Sequence, residues 1–130
     1  MSRTRRTPLR GFGVQRETRC VRFRPDTANA PTYINDDGSV ASITHAATGQ
    51  WLITFRDPAY RVCGHSEGLS LATPAAGHLS VTFANEGTST ALTATLSHFT
   101  TALADIASDA NNWLSLTVEV ELSKAAQGLF

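Results

Sequence analysis

The segment Trp113-Leu-Ser-Leu-Thr-Val-Glu-Val-Glu-Leu122 decides the fold class of this 130-residue chain. From Leu114 onward every second residue is aliphatic, and the intervening residues are Ser115, Thr117, Glu119 and Glu121. Successive side chains of a β-strand point to opposite faces, so this alternation gives one apolar face and one polar face. A helix would scatter the same aliphatic side chains around its circumference. The segment therefore predicts a strand whose apolar face packs against a second sheet.

Strand-like segments recur along the rest of the chain, at the spacing of roughly 8–12 residues that is typical of sandwiches and barrels. The predicted strands are residues 17–24, 40–45, 50–56, 60–63, 70–73, 78–84 and 91–98, followed by 113–122. Residues 40–56 predict a hairpin that turns at Thr48-Gly49 and places Trp51, Ile53 and Phe55 on one face. These segments indicate one domain with a continuous β core.

The segment that precedes the last strand has a different pattern. Residues 103–112 predict a short helix, which ends at Asn111-Asn112 and carries Asp105 and Asp109 on one face as solvated or capping groups. We therefore predict an all-β fold. Its architecture is an antiparallel β-sandwich or barrel, jelly-roll-like, with seven or eight strands, one short helix and an extended N-terminal arm.

Charge is divided unevenly along the chain, although the net charge is zero. Residues 1–24 contain eight arginines and one acid (8 − 1 = +7), and residues 25–130 contain three basic residues and ten acids (3 − 10 = −7). We predict an arginine-rich arm at 1–16, a β domain at 17–122 and a C-terminal tail at 123–130. The residues of the arm predicted to bind a partner are Arg3, Arg5, Arg6, Arg10 and Arg16.

The planar guanidinium group of arginine suits fixed pairing with carboxylates or phosphates. Three interpretations of the arm remain open: it binds nucleic acid, it binds the acidic face of another protein chain, including a second copy, or it lies over its own acidic body. In the first predicted strand Arg19, Val21 and Phe23 share one face. Cys20, Arg22 and Arg24 occupy the other face, which predicts a basic outer surface.

Composition excludes several classes of protein. The chain is 42% hydrophobic and 17% charged, as expected of a globular domain rather than a disordered chain. No apolar run approaches the ~20 residues of a membrane helix, and the basic N-terminus lacks the apolar core of a secretory signal. We therefore expect a protein made in the cytoplasm, with Cys20 and Cys63 as reduced thiols.

One segment matches the sequence pattern of a catalytic motif. Gly64-His-Ser-Glu-Gly68 fits G-x-S-x-G, but that motif works on a sharp turn between a strand and a helix. Here a second strand-like segment follows, so the prediction is a glycine-bounded loop and no catalytic serine.

Metal binding is not predicted either. Cys63 and His65 are two residues apart and share one face of a strand, but His45, His78 and His98 are spread over other strands. Structural zinc needs four such ligands. We expect no enzyme activity, no cofactor and no small-molecule substrate.

Two stretches resemble a known family. Gly49-Gln-Trp-Leu-Ile-Thr-Phe55 is similar to a G-x-aromatic-x-V/I-x-F strand, and Ala104-Asp-Ile-Ala-Ser-Asp-Ala-Asn-Asn112 leads into an alternating strand as in that family. The family comprises small β-rich structural proteins of tailed bacteriophages, and the resemblance extends over residues 42–122. This chain departs from the family in its long arginine-rich start and in Trp113, which stands where a basic residue is usual.

The resemblance implies a virion structural protein without enzyme activity, in particular a capsid decoration or cement protein that bridges major capsid protein subunits. Its partners would be the major capsid protein or other virion proteins, with homo-oligomers expected. Two alternatives stay open: a phage tail or receptor-binding component, and a nucleic-acid-binding β-barrel that uses the basic arm. The last would need exposed aromatic platforms, and an acidic body disfavours it.

Overall fold

The computed structural model describes residues 15–27, 31 and 34–122. These residues form eight strands: β1 (Arg16–Phe23), β2 (Ile34–Asp36), β3 (Val40–Ala47), β4 (Gln50–Phe55), β5 (Arg61–Ser70), β6 (His78–Ala84), β7 (Thr93–Phe99) and β8 (Trp113–Glu121). In the described residues there is no helix that is long and apolar enough to cross a membrane.

The strands form two antiparallel sheets of four strands each. Sheet A has the order β2-β1-β8-β5, and sheet B has the order β3-β4-β7-β6. The strand β8 pairs with β1 on one side and with β5 on the other. The all-β prediction is confirmed, and within it the architecture is sandwich-like.

The core lies between the inner faces of the two sheets. Leu114, Leu116, Val118 and Val120 of β8 are each at most 1% exposed, as the alternation predicts. Sheet B contributes Trp51, Ile53 and Phe55 to the same cluster, again as predicted. Burial of one such side chain contributes roughly 1.5–3 kcal/mol, so the alternating strands stabilise the fold mainly through this layer.

The predicted helix at 103–112 is wrong, because no described residue in this segment is helical. Polar side chains of the segment bond both within it and to backbone groups beside the strands, in place of a helical hydrogen-bond ladder. Asp105 accepts a hydrogen bond from the backbone N–H of Gly49. Asn112 accepts one from the N–H of Ala72 and donates one to the carbonyl of Ala107. Since Ile106 is also buried, the segment forms a loop that is fixed against the end of the sandwich.

The predicted strands at 60–63 and 70–73 are also incorrect, because β5 is one continuous strand of ten residues. The segment 64–68, predicted as a loop, lies in the middle of β5. Pairing with β8 along its whole length favours the strand, with a bulge between Val62 and Gly64. At Gly68 a Cβ would meet the Ser115 hydroxyl on β8, so a larger residue there would require that hydroxyl to rotate away.

The predicted arm at 1–16 falls mostly outside the described residues, and the predicted tail at 123–130 falls wholly outside them. The exception is the end of the arm, where Arg16 is already part of β1 and pairs with Glu121. The N–H of Leu122 donates to the carbonyl of Gln15, which extends this pairing by one step. The β domain therefore includes residues 15 and 16.

Candidate interaction surfaces

In the described strands, the charged residues are confined to sheet A. The described strands of sheet A contain four arginines and five acidic residues. The described strands of sheet B contain no aspartate, glutamate, lysine or arginine. Any surface that recognises a charged partner through a strand therefore belongs to sheet A.

A buried carboxylate lies at one end of sheet A. Glu121 is only 3% exposed, although its place in the alternation predicts an exposed side chain. Arg61 donates to its Oε1 from Nε at 3.1 Å and from Nη2 at 2.8 Å, and Arg16 donates to Oε2 at 3.4 Å. The hydrogen bond and the charge of Glu121 raise the pKa of Arg61 above its already high value. The two arginines cover the carboxylate and remain about half exposed (52% and 55%).

Arg16 is thus held in place by the sandwich. The other four arginines predicted to bind a partner, Arg3, Arg5, Arg6 and Arg10, lie outside the described residues. Their segment joins the sandwich at Gln15, which is bonded to Leu122, the last described residue. Both ends of the described chain therefore meet beside Glu121.

Arg19, in contrast, points into the core and is 1% exposed. It donates from Nη1 to the carbonyl of Asp57 at 2.9 Å and from Nη2 to that of Pro58 at 3.0 Å. Its guanidinium lies 5.6 Å from the Phe55 ring centroid and 3.8 Å from a Glu17 oxygen. The charge is therefore satisfied internally, and Arg19 links β1 to the loop after β4 instead of contacting a partner.

The outer face of β1 and β8 carries a shallow groove of about 320 Å³. Near it the Arg22 guanidinium lies 4.3 Å from the centroid of the half-buried Trp113 ring. Arginine and tryptophan are enriched among the residues that dominate protein interfaces. Burial raises the pKa of the Cys20 thiol in the groove, and the Asp37 carboxylate raises it further. The raised pKa leaves less of Cys20 as the nucleophilic thiolate, and the Arg22–Trp113 pair makes the groove a candidate contact surface.

The G-x-S-x-G segment has no catalytic geometry in the described chain. Ser66 lies in the middle of β5, opposite Thr117, with no hydrogen bond from its hydroxyl to another described residue. His65 Nδ1 lies 2.6 Å from Oε1 of Glu67, and the ring centroid of His65 is 5.4 Å from that of Phe83 on β6. Burial raises the pKa of the Cys63 thiol, and the charge of Glu121 adds to this effect.

His45, His78 and His98 each contact a different group. His45 contacts Asp105, His78 stacks on Phe99, and His98 donates from Nδ1 to the carbonyl of Ala104 at 2.7 Å. Within residues 15–27, 31 and 34–122, no group of three or more histidine, cysteine, aspartate or glutamate side chains is placed to hold a metal ion.

The loop before β8 forms a contact that the sequence did not indicate. Asp105 Oδ1 accepts the N–H of Gly49 at 2.5 Å and lies 2.8 Å from Nε2 of His45. Burial alone would raise the pKa of Asp105, but the hydrogen bonds from Gly49 and His45 and the charge of His45 lower it below its ordinary value. Gly49 has a φ of 70°, and a Cβ there would lie 2.7 Å from the backbone nitrogen of Ala104. The loop and the β3–β4 turn thus form one unit.

The sequence predicts Asp105 on the face of a helix, and nothing in the sequence indicates its contact with Gly49. Comparison with protein-family models, with curated proteins and with solved structures finds no match for this chain.

Proposed function

We propose that the protein is a non-enzymatic structural component of a tailed-bacteriophage virion, made in the host cytoplasm. Its role in this proposal is that of a capsid decoration or cement protein, which stabilises the head by bridging major capsid protein subunits. The observation that carries the proposal is the charge division between the sandwich and the segment attached at Gln15. The protein shares with viral jelly rolls eight strands in two antiparallel sheets of four, although its strand order is different.

The charge division favours contact with an acidic neighbour. The described residues contain six arginines and eleven acids (6 − 11 = −5), whereas residues 1–14 contain four arginines and no acid. The buried Arg19 and the paired Arg16 and Arg61 are already satisfied within the sandwich. In this proposal the four arginines before Gln15 bind the neighbouring acidic surface, together with any of the exposed arginines of the sandwich that face it.

The two stretches that resemble the phage family support the same proposal. They are distant in sequence, yet Asp105 of one accepts a hydrogen bond from Gly49 of the other. A resemblance carried by two segments that form one structural unit is stronger than a resemblance carried by two unrelated segments.

The position of the chain ends also favours a bridging role. Gln15 and Leu122 are hydrogen-bonded at one end of sheet A, so both remaining segments start from the same place. A rigid body with both tails at one end can contact two neighbouring subunits at a joint. The position of these segments supports the tail or receptor-binding alternative equally well. The nucleic-acid alternative is disfavoured, because the described residues carry a net charge of −5 and would repel a phosphate backbone.

The test uses phage heads that lack the protein, phage tails and duplex DNA, each mixed with the purified full chain. We expect saturable binding to heads at a fixed number of copies per capsid. Binding to tails alone would favour the tail component, and binding to DNA alone, weakening steeply with salt, would favour the nucleic-acid interpretation. Binding to none of the three would refute the proposal.

The contribution of the arm is measured with a variant in which Arg3, Arg5, Arg6 and Arg10 are changed to glutamine. Exposed ion pairs contribute up to about 1 kcal/mol each, so head binding should weaken about tenfold or more, with the largest loss at low salt. The matched control is Arg56→Gln, which removes an exposed arginine of the sandwich. Deletion of residues 2–14 should weaken binding similarly and leave the melting temperature unchanged. If both variants bind heads as the full chain does, the arm is not the attachment.

A further inference from the structure

The four edge strands of the sandwich differ in how they are protected against pairing with another chain. Protected edges are short, irregular, charged on the inward side or covered. The strand β2 has only three residues, and β3 has two register irregularities. The strand β5 has a bulge and the inward pair His65–Glu67, and its Val62 N–H is bound by Glu86.

The fourth edge, β6, has none of these devices. It pairs with β7 in unbroken register over all seven residues, from His78 to Ala84. Its sequence, His-Leu-Ser-Val-Thr-Phe-Ala, has no charged residue, proline or glycine. A regular, uncharged strand of this kind is a template for another strand.

The backbone groups at its free edge follow from the antiparallel pattern, in which alternate residues bond to opposite neighbours. The N–H of His98 donates to the carbonyl of Gly49, so the even-numbered residues of β7 bond towards β4. The odd-numbered residues of β7 then bond to the even-numbered residues of β6. The N–H and C=O groups of Leu79, Val81 and Phe83 are left facing outward, and no hydrogen bond from another described residue reaches them.

We propose that two copies of this chain associate through β6, antiparallel about a two-fold axis at Val81, and join their sheets B into one sheet of eight strands. In this register Val81 lies opposite Val81, and Leu79 lies opposite Phe83 of the other copy. On the outer face Ser80 lies opposite Thr82. Apolar side chains therefore meet apolar ones, and hydroxyls, which both donate and accept, meet hydroxyls.

A second copy fits this edge better than an unrelated strand because the pattern of β6 is the same when read in either direction from Val81. The described body carries a net charge of −5, so two copies repel wherever their charged surfaces meet. The strands of sheet B are uncharged and allow close approach.

The pairing also supplies hydrogen-bond partners to the outward-facing backbone groups of Leu79, Val81 and Phe83. Three residue pairs that exchange two bonds each would form about six backbone hydrogen bonds. Leu79, Val81 and Phe83, which are only partly buried in one copy, would be covered further. A two-fold contact uses both edges and closes, so the product is a dimer and not a fibre. This inference does not depend on the proposed virion role.

The experiment measures sedimentation of the purified full chain over a wide range of concentration, beside the double variants Ser80→Lys/Thr82→Lys and Ser80→Glu/Thr82→Glu. In the two-fold register each variant places like charges opposite each other twice. We expect the full chain to form a concentration-dependent dimer, and each variant to dimerise at least about tenfold more weakly. Mixing the Lys and Glu variants should restore a dimer that contains one copy of each.

The matched control is Ser42→Lys/Thr44→Lys, which places two lysines on the exposed outer face of the irregular edge strand β3. It should dimerise as the unchanged chain does. Rescue in the mixture shows that both variants are folded, so a loss of dimer cannot be attributed to unfolding. The proposal is overturned if the full chain stays monomeric at every concentration up to about 1 mM, which corresponds to about −4 kcal/mol. It is equally overturned if Ser42→Lys/Thr44→Lys weakens dimerisation as much as the β6 variants do. It is overturned as well if a mixture of the Lys and Glu variants of β6 forms no dimer.

Discussion

The two sheets share one core but use charge in opposite ways. In the described chain, sheet A carries every charged strand residue, on both of its faces: Arg19 lies inside, and Arg16, Glu121 and Arg61 form a cluster outside. Sheet B carries none, and its outer face is made largely of serine and threonine. In sheet A each of these charges has a specific partner. The two buried charges of the described strands, Arg19 and Glu121, therefore lie at positions that provide such a partner.

The strongest test of this comparison places a charge inside sheet A where no partner exists. Val118 is 0% exposed and lies in the central strand β8. Val118→Asp should lower the free energy of unfolding by about 4 kcal/mol or more, because a carboxylate is buried without a donor or a cation. A thermal melt should move down by at least about 15 °C.

The neighbouring position is the matched control for that substitution. Thr117 is exposed on the same strand, so Thr117→Asp should lower the free energy of unfolding by only about 1 kcal/mol, through the poorer strand propensity of aspartate. Equal melting temperatures for the two variants would show that the faces of β8 are assigned the wrong way round.

A second test compares two arginines of β1. Arg19→Met removes both donors to the Asp57 and Pro58 carbonyls and should cost about 1–3 kcal/mol. Arg22→Met removes only the stacking on Trp113 and should cost about 0.5–1 kcal/mol. Urea denaturation of both variants measures the difference. If Arg19→Met is as stable as the unchanged chain, the inner cation is tolerated and not required, and the comparison between the sheets loses its main example.

The parts of this fold that the sequence predicted are those whose alternation is unbroken. The strand β6 is predicted with its observed bounds, and the inner faces of β4 and β8 are predicted correctly. In β1, alternation had already placed Arg19 beside Val21 and Phe23, so its burial follows the pattern. The carbonyls that make this burial possible come from Asp57 and Pro58, and their position depends on the packing of the two sheets.

The errors have a common physical cause, which is that the deciding partner is distant in sequence. The segment 64–68 looks like a loop because of its glycines, but β8 supplies a full ladder of backbone partners. The segment 103–112 has a composition that allows a helix, but Asp105 and Asn112 bond to Gly49 and Ala72. Glu121 has the position of an exposed residue, and the arginines of two flanking strands bury it.

The smallest expected effect concerns Asp105, the acidic group that supports the uncharged sheet B from outside. Hydrogen bonds from Gly49 and His45 hold the pKa of Asp105 below its ordinary value of 3.8, against the opposing effect of burial. A carboxylate with a lowered pKa stabilises the fold above its ordinary value, and this contribution is lost as the pH falls through the lowered one. The side chain is 38% exposed, so solvent screening limits the contribution to less than about 1 kcal/mol. Asp105→Asn should therefore reduce stability at about pH 6, and the difference from the unchanged chain should shrink as the pH falls below 3.8. Urea midpoints across that range measure it, with Asp109→Asn, whose carboxylate bonds locally to Asn111, as the control. A difference that stays constant with pH, or that is equal for both variants, would show that Asp105 acts through its shape and not through its charge.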